Sequence, residues 1–78
     1  MNKKTVAAKE ARNLMLNEYQ GVLSTHSVDV PGFPFGSVVP YCLDRMGRPV
    51  ILISRIAQHT KNIQADDKVS LIVAESGA

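Results

Sequence analysis

A chain of 78 residues allows one small domain, and a fold of that size buries only about 60 per cent of the surface that its unfolded chain exposes. Nine Lys and Arg against seven Asp and Glu leave a formal charge of +2, scattered with no basic run beyond Lys3 and Lys4, which argues against a nucleic-acid surface. Cys42 is the only cysteine, so an internal disulfide and C-x-x-C metal or redox pairs are excluded; no apolar run reaches membrane-span length, and Lys9, Glu10 and Arg12 interrupt any signal-peptide core, so a soluble cytoplasmic protein is expected.

From Thr5 to about Glu18 the apolar residues Ala7, Ala11, Leu14 and Met15 recur on a helical period, which predicts an amphipathic helix capped by Thr5. Gly21 ends it, and GVLSTHSV alternates as a half-buried strand, with Val22, Ser24, His26 and Val28 on one face and Leu23, Thr25 and Ser27 on the other. His26 reads as a polar residue at the strand end. Asp29, Pro31, Gly32 and Pro34 make a hairpin loop, in which Phe33 and Phe35 are expected to cover an end of the fold. Phe35 to Asp44 is the second strand, with Ser37, Val39, Tyr41 and Leu43 on one face and Gly36, Val38, Pro40 and Cys42 on the other. Pro40 cannot donate to a ladder and predicts an edge or a bulge, and Cys42 reads as a small buried hydrophobe.

Asp44, Arg45, Met46 and Gly47 form a turn in which Gly47 is free to take φ > 0. Val50, Ile51, Leu52 and Ile53 then form a short covered strand that delivers the chain to Ser54, read as the N-cap of a helix ended by Asp66 and Asp67. Gln58, His59, Thr60, Lys61 and Asn62 crowd its opening turns. The unpaired N–H groups there, with His59 and Lys61, suit an anion such as phosphate; on residue pattern alone the same residues also read as a solvated helix face. Val69, Leu71 and Val73, alternating with Ser70, Ile72 and Ala74, make the last strand.

The segments SVVPY, GRPVILIS and AQHTKN, extended back to ARNLMLNEYQGVLSTHS and PGFPFGSVVPY, resemble the FMN-binding split-barrel superfamily, in its pyridoxamine-phosphate-oxidase-like and haem-utilisation branch. The resemblance implies a mainly β fold with helices (α+β): a partial split β-barrel over residues 1–78, with an N-terminal helix, about four antiparallel strands and one inserted helix. It further implies flavin mononucleotide as cofactor, with haem as the lesser candidate. By the same resemblance the ring lies along Ser37, Val38, Val39, Pro40 and Tyr41, and the phosphate and ribityl chain meet Ile53, Ser54, Gln58, His59, Thr60 and Asn62.

The chain departs from the oxidase pattern. Gln58 and His59 stand where the oxidase carries an Arg-Lys pair, and Ser37 and Cys42 where it carries an Arg and a Lys, which makes phosphate binding less charge-assisted. Catalytic residues are not assigned. Four strands leave edges and apolar faces open, so a homodimer or higher homo-oligomer is expected; the resemblance, which places flavin at a dimer interface, implies that the partner supplies half of the site. The function implied is flavin-dependent redox chemistry on a bound small molecule. The alternative is a non-catalytic truncated barrel acting in self-association or in haem or flavin carriage. A metal site on His26 and His59 would lack supporting cysteine or carboxylate spacing.

Overall fold

The computed structural model describes residues 2–76 and arranges them as α1 (Lys3–Asn17), β1 (Gln20–His26), β2 (Pro34–Leu43), β3 (Pro49–Ile51), α2 (Gln58–Ala65) and β4 (Ser70–Ile72). The strands form one antiparallel sheet in the order β3-β2-β1-β4, curled into half a barrel. This is the α+β arrangement expected: an N-terminal helix, four antiparallel strands and an inserted helix.

Alternation sorts the residues onto two faces. Register places Leu23 opposite Ser37, Gly21 opposite Val39 and Thr25 opposite Phe35 on the inner face, which α2 covers. Leu23, Val39 and Tyr41 are the buried hydrophobic residues there, each worth about 1.5–3 kcal/mol of burial. Gly21 is required by a close approach: a Cβ on it would lie 2.8 Å from the Ile72 carbonyl oxygen of β4. The outer face carries Val22, Ser24 and His26 opposite Val38, Gly36 and Pro34, and nothing covers it among the described residues. Cys42 belongs to this face and is exposed rather than buried, because its even-numbered position turns it away from α2. Phe33 is also exposed, so it covers no end of the fold; Phe35, on the inner face, is half-buried.

α1 begins earlier than its apolar period indicates. Asn2 is the N-cap, its side chain accepting from the Thr5 N–H at 2.8 Å and the Thr5 hydroxyl at 3.0 Å, so Thr5 lies inside the first turn and is not the cap. Leu14 and Met15 are half-buried, whereas Ala7 and Ala11 are exposed, because only the C-terminal part of the helix reaches the sheet. There the Tyr41 hydroxyl donates to the Met15 carbonyl at 2.7 Å.

The turn after β2 is held by Asp44, which accepts from the N–H groups of Met46 and Arg48 and from the Arg48 guanidinium at 2.8–3.0 Å. These bonds, the Arg48 N–H foremost, hold its carboxyl below the usual range. Gly47 has the positive φ of 79° expected of it. β3 is shorter than its aliphatic run suggests, since Leu52 and Ile53 leave the ladder. Ser54 is not the cap of α2: the chain makes a turn through Arg55 and Ile56, and Ala57 caps the helix without a side-chain bond.

α2 is fastened to the sheet through Asn62, which is fully buried. Its Oδ1 accepts from the Val28 N–H at 3.1 Å and from Gln58 Nε2 at 3.0 Å, and its Nδ2 donates to the Thr25 hydroxyl at 3.0 Å. The Thr25 hydroxyl in turn donates to the Phe35 carbonyl at 3.3 Å.

Replacing Asn62 by Leu leaves the Thr25, Val28 and Gln58 groups stranded, at about 1–3 kcal/mol for each one that stays buried. Amide hydrogen exchange across α2 is therefore expected to accelerate sharply in Asn62→Leu and to stay at the wild-type rate in the exposed-site variant Lys61→Leu. Wild-type protection in Asn62→Leu would refute the role of the clasp.

Tyr41→Phe removes one hydrogen bond and is expected to cost about 0.5–1.5 kcal/mol in urea unfolding at neutral pH. Burial, and then the Glu18 carboxylate, raise the Tyr41 phenol above its ordinary value. A raised folded-state value means that this stabilisation is complete below the unfolded value of about 10 and is lost as pH climbs through the folded one. Wild type should thus lose more stability than Tyr41→Phe across that alkaline window; parallel curves would contradict it.

Candidate functional site

The site begins with a mismatch of strand lengths. β2 pairs with β1 from Pro34 to Pro40, but with β3 only from Tyr41 to Leu43. The Tyr41 N–H donates to the Tyr19 carbonyl at 3.0 Å, so odd-numbered residues of β2 aim their backbone groups at β1 and Gly36, Val38 and Pro40 aim theirs the other way. Since β3 ends at Ile51, those groups have no strand partner among the described residues. Pro40 therefore marks an edge. Pairing with β1 runs through it without a bulge, and its missing N–H faces the open side.

Ser37 and His59 meet on the inner side of this opening. The Ser37 hydroxyl and His59 Nδ1 are 2.9 Å apart, and both residues are half-buried. With Nδ1 engaged, His59 Nε2 is buried without a hydrogen-bond partner. Such an atom costs free energy unless something else meets it.

The start of α2 supplies anion donors. Its first N–H groups, those of Gln58 and His59, have no acceptor among the described residues, and no acidic side chain occupies the first turn. The Ser54 hydroxyl accepts from the Ile56 N–H at 3.3 Å and keeps its own proton to donate. Arg55 and Lys61 are exposed with no carboxylate within ion-pair distance among the described residues. Arg55 is absent from the set drawn from sequence. An early helix start at Ser54 placed it in the helix body, whereas the strand-end pair Ser54-Arg55, followed by residues with no capping side chain, was the signal that it lies in a turn.

The remaining residues singled out in the sequence divide sharply. Thr60 is buried, and its hydroxyl donates to the Ser54 carbonyl, which fastens the turn to the helix. Gln58 and Asn62 are bonded to each other within the clasp, and Ile53, at the end of the aliphatic run that begins β3, is half-buried. On β2, Ser37 faces His59, Val39 is 1% exposed in the core, Tyr41 faces α1, and Val38 and Pro40 are exposed. The structure thus brings Ser37, Ser54, Gln58, His59, Thr60 and Asn62 together around α2, bonded in pairs, Ser37 with His59, Ser54 with Thr60 and Gln58 with Asn62, and leaves the Val38 and Tyr41 side chains outside that set. His26, exposed on the outer face, is not brought near His59. Among the described residues no cluster of three metal-ligating side chains occurs, and no helix is long and apolar enough to cross a membrane.

Chemically, the opening offers a free strand edge to a planar ring with acceptors and donors on its rim, an imidazole nitrogen at its floor, and a helix start with two cations for an oxyanion.

Comparison with known proteins agrees with this architecture. A curated relative, "Non-canonical heme oxygenase HOZ, chloroplastic" from Arabidopsis thaliana, is 38% identical over 66 residues, which is 85% of this chain and 21% of that protein. A solved structure superposes on the whole chain with a TM-score of 0.88 at 23% identity, a likeness of fold, and the chain covers 52% of it. The chain thus spans about a fifth of the curated relative and about half of the solved chain. The family model described as "CREG, beta-barrel" matches residues 2–77, so the chain belongs to the CREG β-barrel family.

Proposed function

We propose that this chain is a cofactor-holding part of a split-barrel protein that binds flavin mononucleotide and serves redox chemistry on a small molecule. The observation that carries the reading is the opening where β3 leaves β2, with Ser37 and His59 at its floor and the free N–H groups of α2 beside it. The donor set fits the cofactor. Gln58 N–H, His59 N–H, the Ser54 hydroxyl and Arg55 suit the phosphate, while the outward backbone groups of Gly36 and Val38 suit the edge of the ring. Flavin, when bound, supplies the electron transfer. The chain's own residues hold the phosphate, orient the ring and keep water from the His59 side. Asn62 and Thr60 act indirectly, by fixing α2 and the Ser54 turn.

Haem is the second reading. The printed name of the Arabidopsis relative is that of a heme oxygenase. His59 also has the form of a metal-binding imidazole, one ring nitrogen held by a hydroxyl and the other without a partner.

Self-association completes the proposal. Leu52 and Ile56 flank Arg55 and are 88% and 84% exposed, an apolar patch beside the site that a second copy would cover. The partner then closes the opening.

The test is an absorbance and fluorescence titration with flavin mononucleotide of wild type, His59→Ala, Ser54→Ala and Arg55→Gln, with light scattering to give the mass of each. Saturable binding to an oligomer is expected, with each substitution weakening it about tenfold, the cost of one charge-assisted or buried hydrogen bond. A folded wild type that ignores flavin but gains a Soret band with haem would transfer the site to the second reading. One that binds neither would end both.

A further inference from the structure

The outer face of the sheet is graded in a way that the cofactor site does not use. Opposite positions in an antiparallel sheet share a face, so three rows can be read across the strands. Val22 lies between Val38 and Ile72; Ser24 lies between Gly36 and Ser70; His26 lies beside Pro34, with Lys68 two residues before Ser70 on the same side. The rows run from aliphatic, through small and hydroxylic, to basic.

The middle row is a depression. A cavity of about 260 Å³ stands over Ser24, with His26, Pro34, Lys68 and Ser70 as walls. Gly36, opposite Ser24 on β2, leaves space beside it: a Cβ there would meet only Val22 Cγ1, at 3.5 Å. The Ser24 and Ser70 hydroxyls make no hydrogen bond within the protein among the described residues, and Lys68 has no carboxylate partner there. The nearby acid is engaged, since Asp66 Oδ1 accepts from the Lys68 N–H at 3.0 Å and Asp66 Oδ2 lies 4.0 Å from His26 Nε2. Beyond the serines, Val38 and Ile72 are 65% and 59% exposed and form an apolar shelf with Val22.

We propose that this depression binds a phosphate monoester of an apolar alcohol. The Ser24 and Ser70 hydroxyls, on neighbouring strands, and the Lys68 ammonium, from the stretch leading into β4, converge on the tetrahedral head, and the apolar body lies over Val22, Val38 and Ile72. The site is on the face opposite to Ser37 and His59 and does not depend on the flavin reading.

The test uses the whole chain, with phenyl phosphate and inorganic phosphate as probes and amide chemical shifts as the readout. Phenyl phosphate is expected to give saturable shifts at Ser24, His26 and Ser70 and to bind more tightly than inorganic phosphate. Lys68→Gln should weaken it about tenfold, the cost of one charge-assisted bond. Gly36→Val, which crowds the space beside Ser24, should weaken it; because that variant could disturb the strand, Lys68→Gln at an exposed position provides the independent arm. Absence of shifts, shifts confined to residues 54–61, equal affinity for the two probes, or wild-type affinity in Lys68→Gln would each overturn the proposal.

Discussion

The Asn62 amide is the polar anchor that fixes α2 on the sheet. It is fully enclosed and bonded at both ends, reaching β1 through Thr25, the loop after β1 through Val28, and the start of its own helix through Gln58. Remove the rigid placement of α2 and the Ser37 to His59 contact has nothing to hold it, because His59 lies three residues before Asn62 on the same helix. A chain with few buried hydrophobic residues needs such a polar anchor. In a low-dielectric interior a fully satisfied network gains strength, and a half-satisfied one is costly, so the clasp favours one docking of α2 over its neighbours. The candidate site therefore inherits its geometry from a hydrogen-bond network rather than from close packing.

The imbalance of apolar surface points the same way. Leu23, Val39 and Tyr41 are buried, while Val38, Leu52, Ile56, Ile72 and Phe33 are among the large side chains that remain exposed. Exposed aliphatics of this size on an open sheet are a liability unless something covers them. Their distribution is not uniform: Leu52 and Ile56 lie in the stretch between β3 and α2, whereas Val38 and Ile72 adjoin the polar depression of the outer face. Each polar feature thus has its own apolar flank.

Much of the fold was legible because alternation and turn chemistry are local. The faces of GVLSTHSV and of Phe35 to Leu43, the hairpin at Pro31-Gly32 and the positive φ of Gly47 all follow from neighbours in sequence. What was not legible depends on tertiary geometry. Ser54 has the chemistry of a cap, yet its carbonyl is taken by the Thr60 hydroxyl and the helix starts later, at Gln58. Cys42 sits in an apolar run, but the uncovered face decides its exposure. The site was legible as a region and not as a set of roles. His59 and Ser37 meet, as two residues drawn from different segments of the resemblance, while Thr60 and Asn62 turn inward to hold the helix and Arg55 takes the outward position.

Register is the quantity on which all of this turns. Side chains alternate with a period of two, so a slip of one residue between β1 and β2 would either present Gly36 or Val38 to His59 in place of Ser37 or carry Leu23 to the outer face. Two devices oppose the slip. Gly21 lets the Ile72 carbonyl approach to a distance that no Cβ tolerates, so any other residue brought to that position by a shift would clash. Tyr41, anchored to Met15, can reach α1 from one face only. Both devices act at the end of the sheet where Gly21 pairs with Val39, and with that end fixed the alternation along β2 turns Ser37 toward His59. The pairing of β1 with β4, which Gly21 also constrains, aligns Ser24 with Ser70 on the opposite face, so both polar features of the sheet are consequences of register.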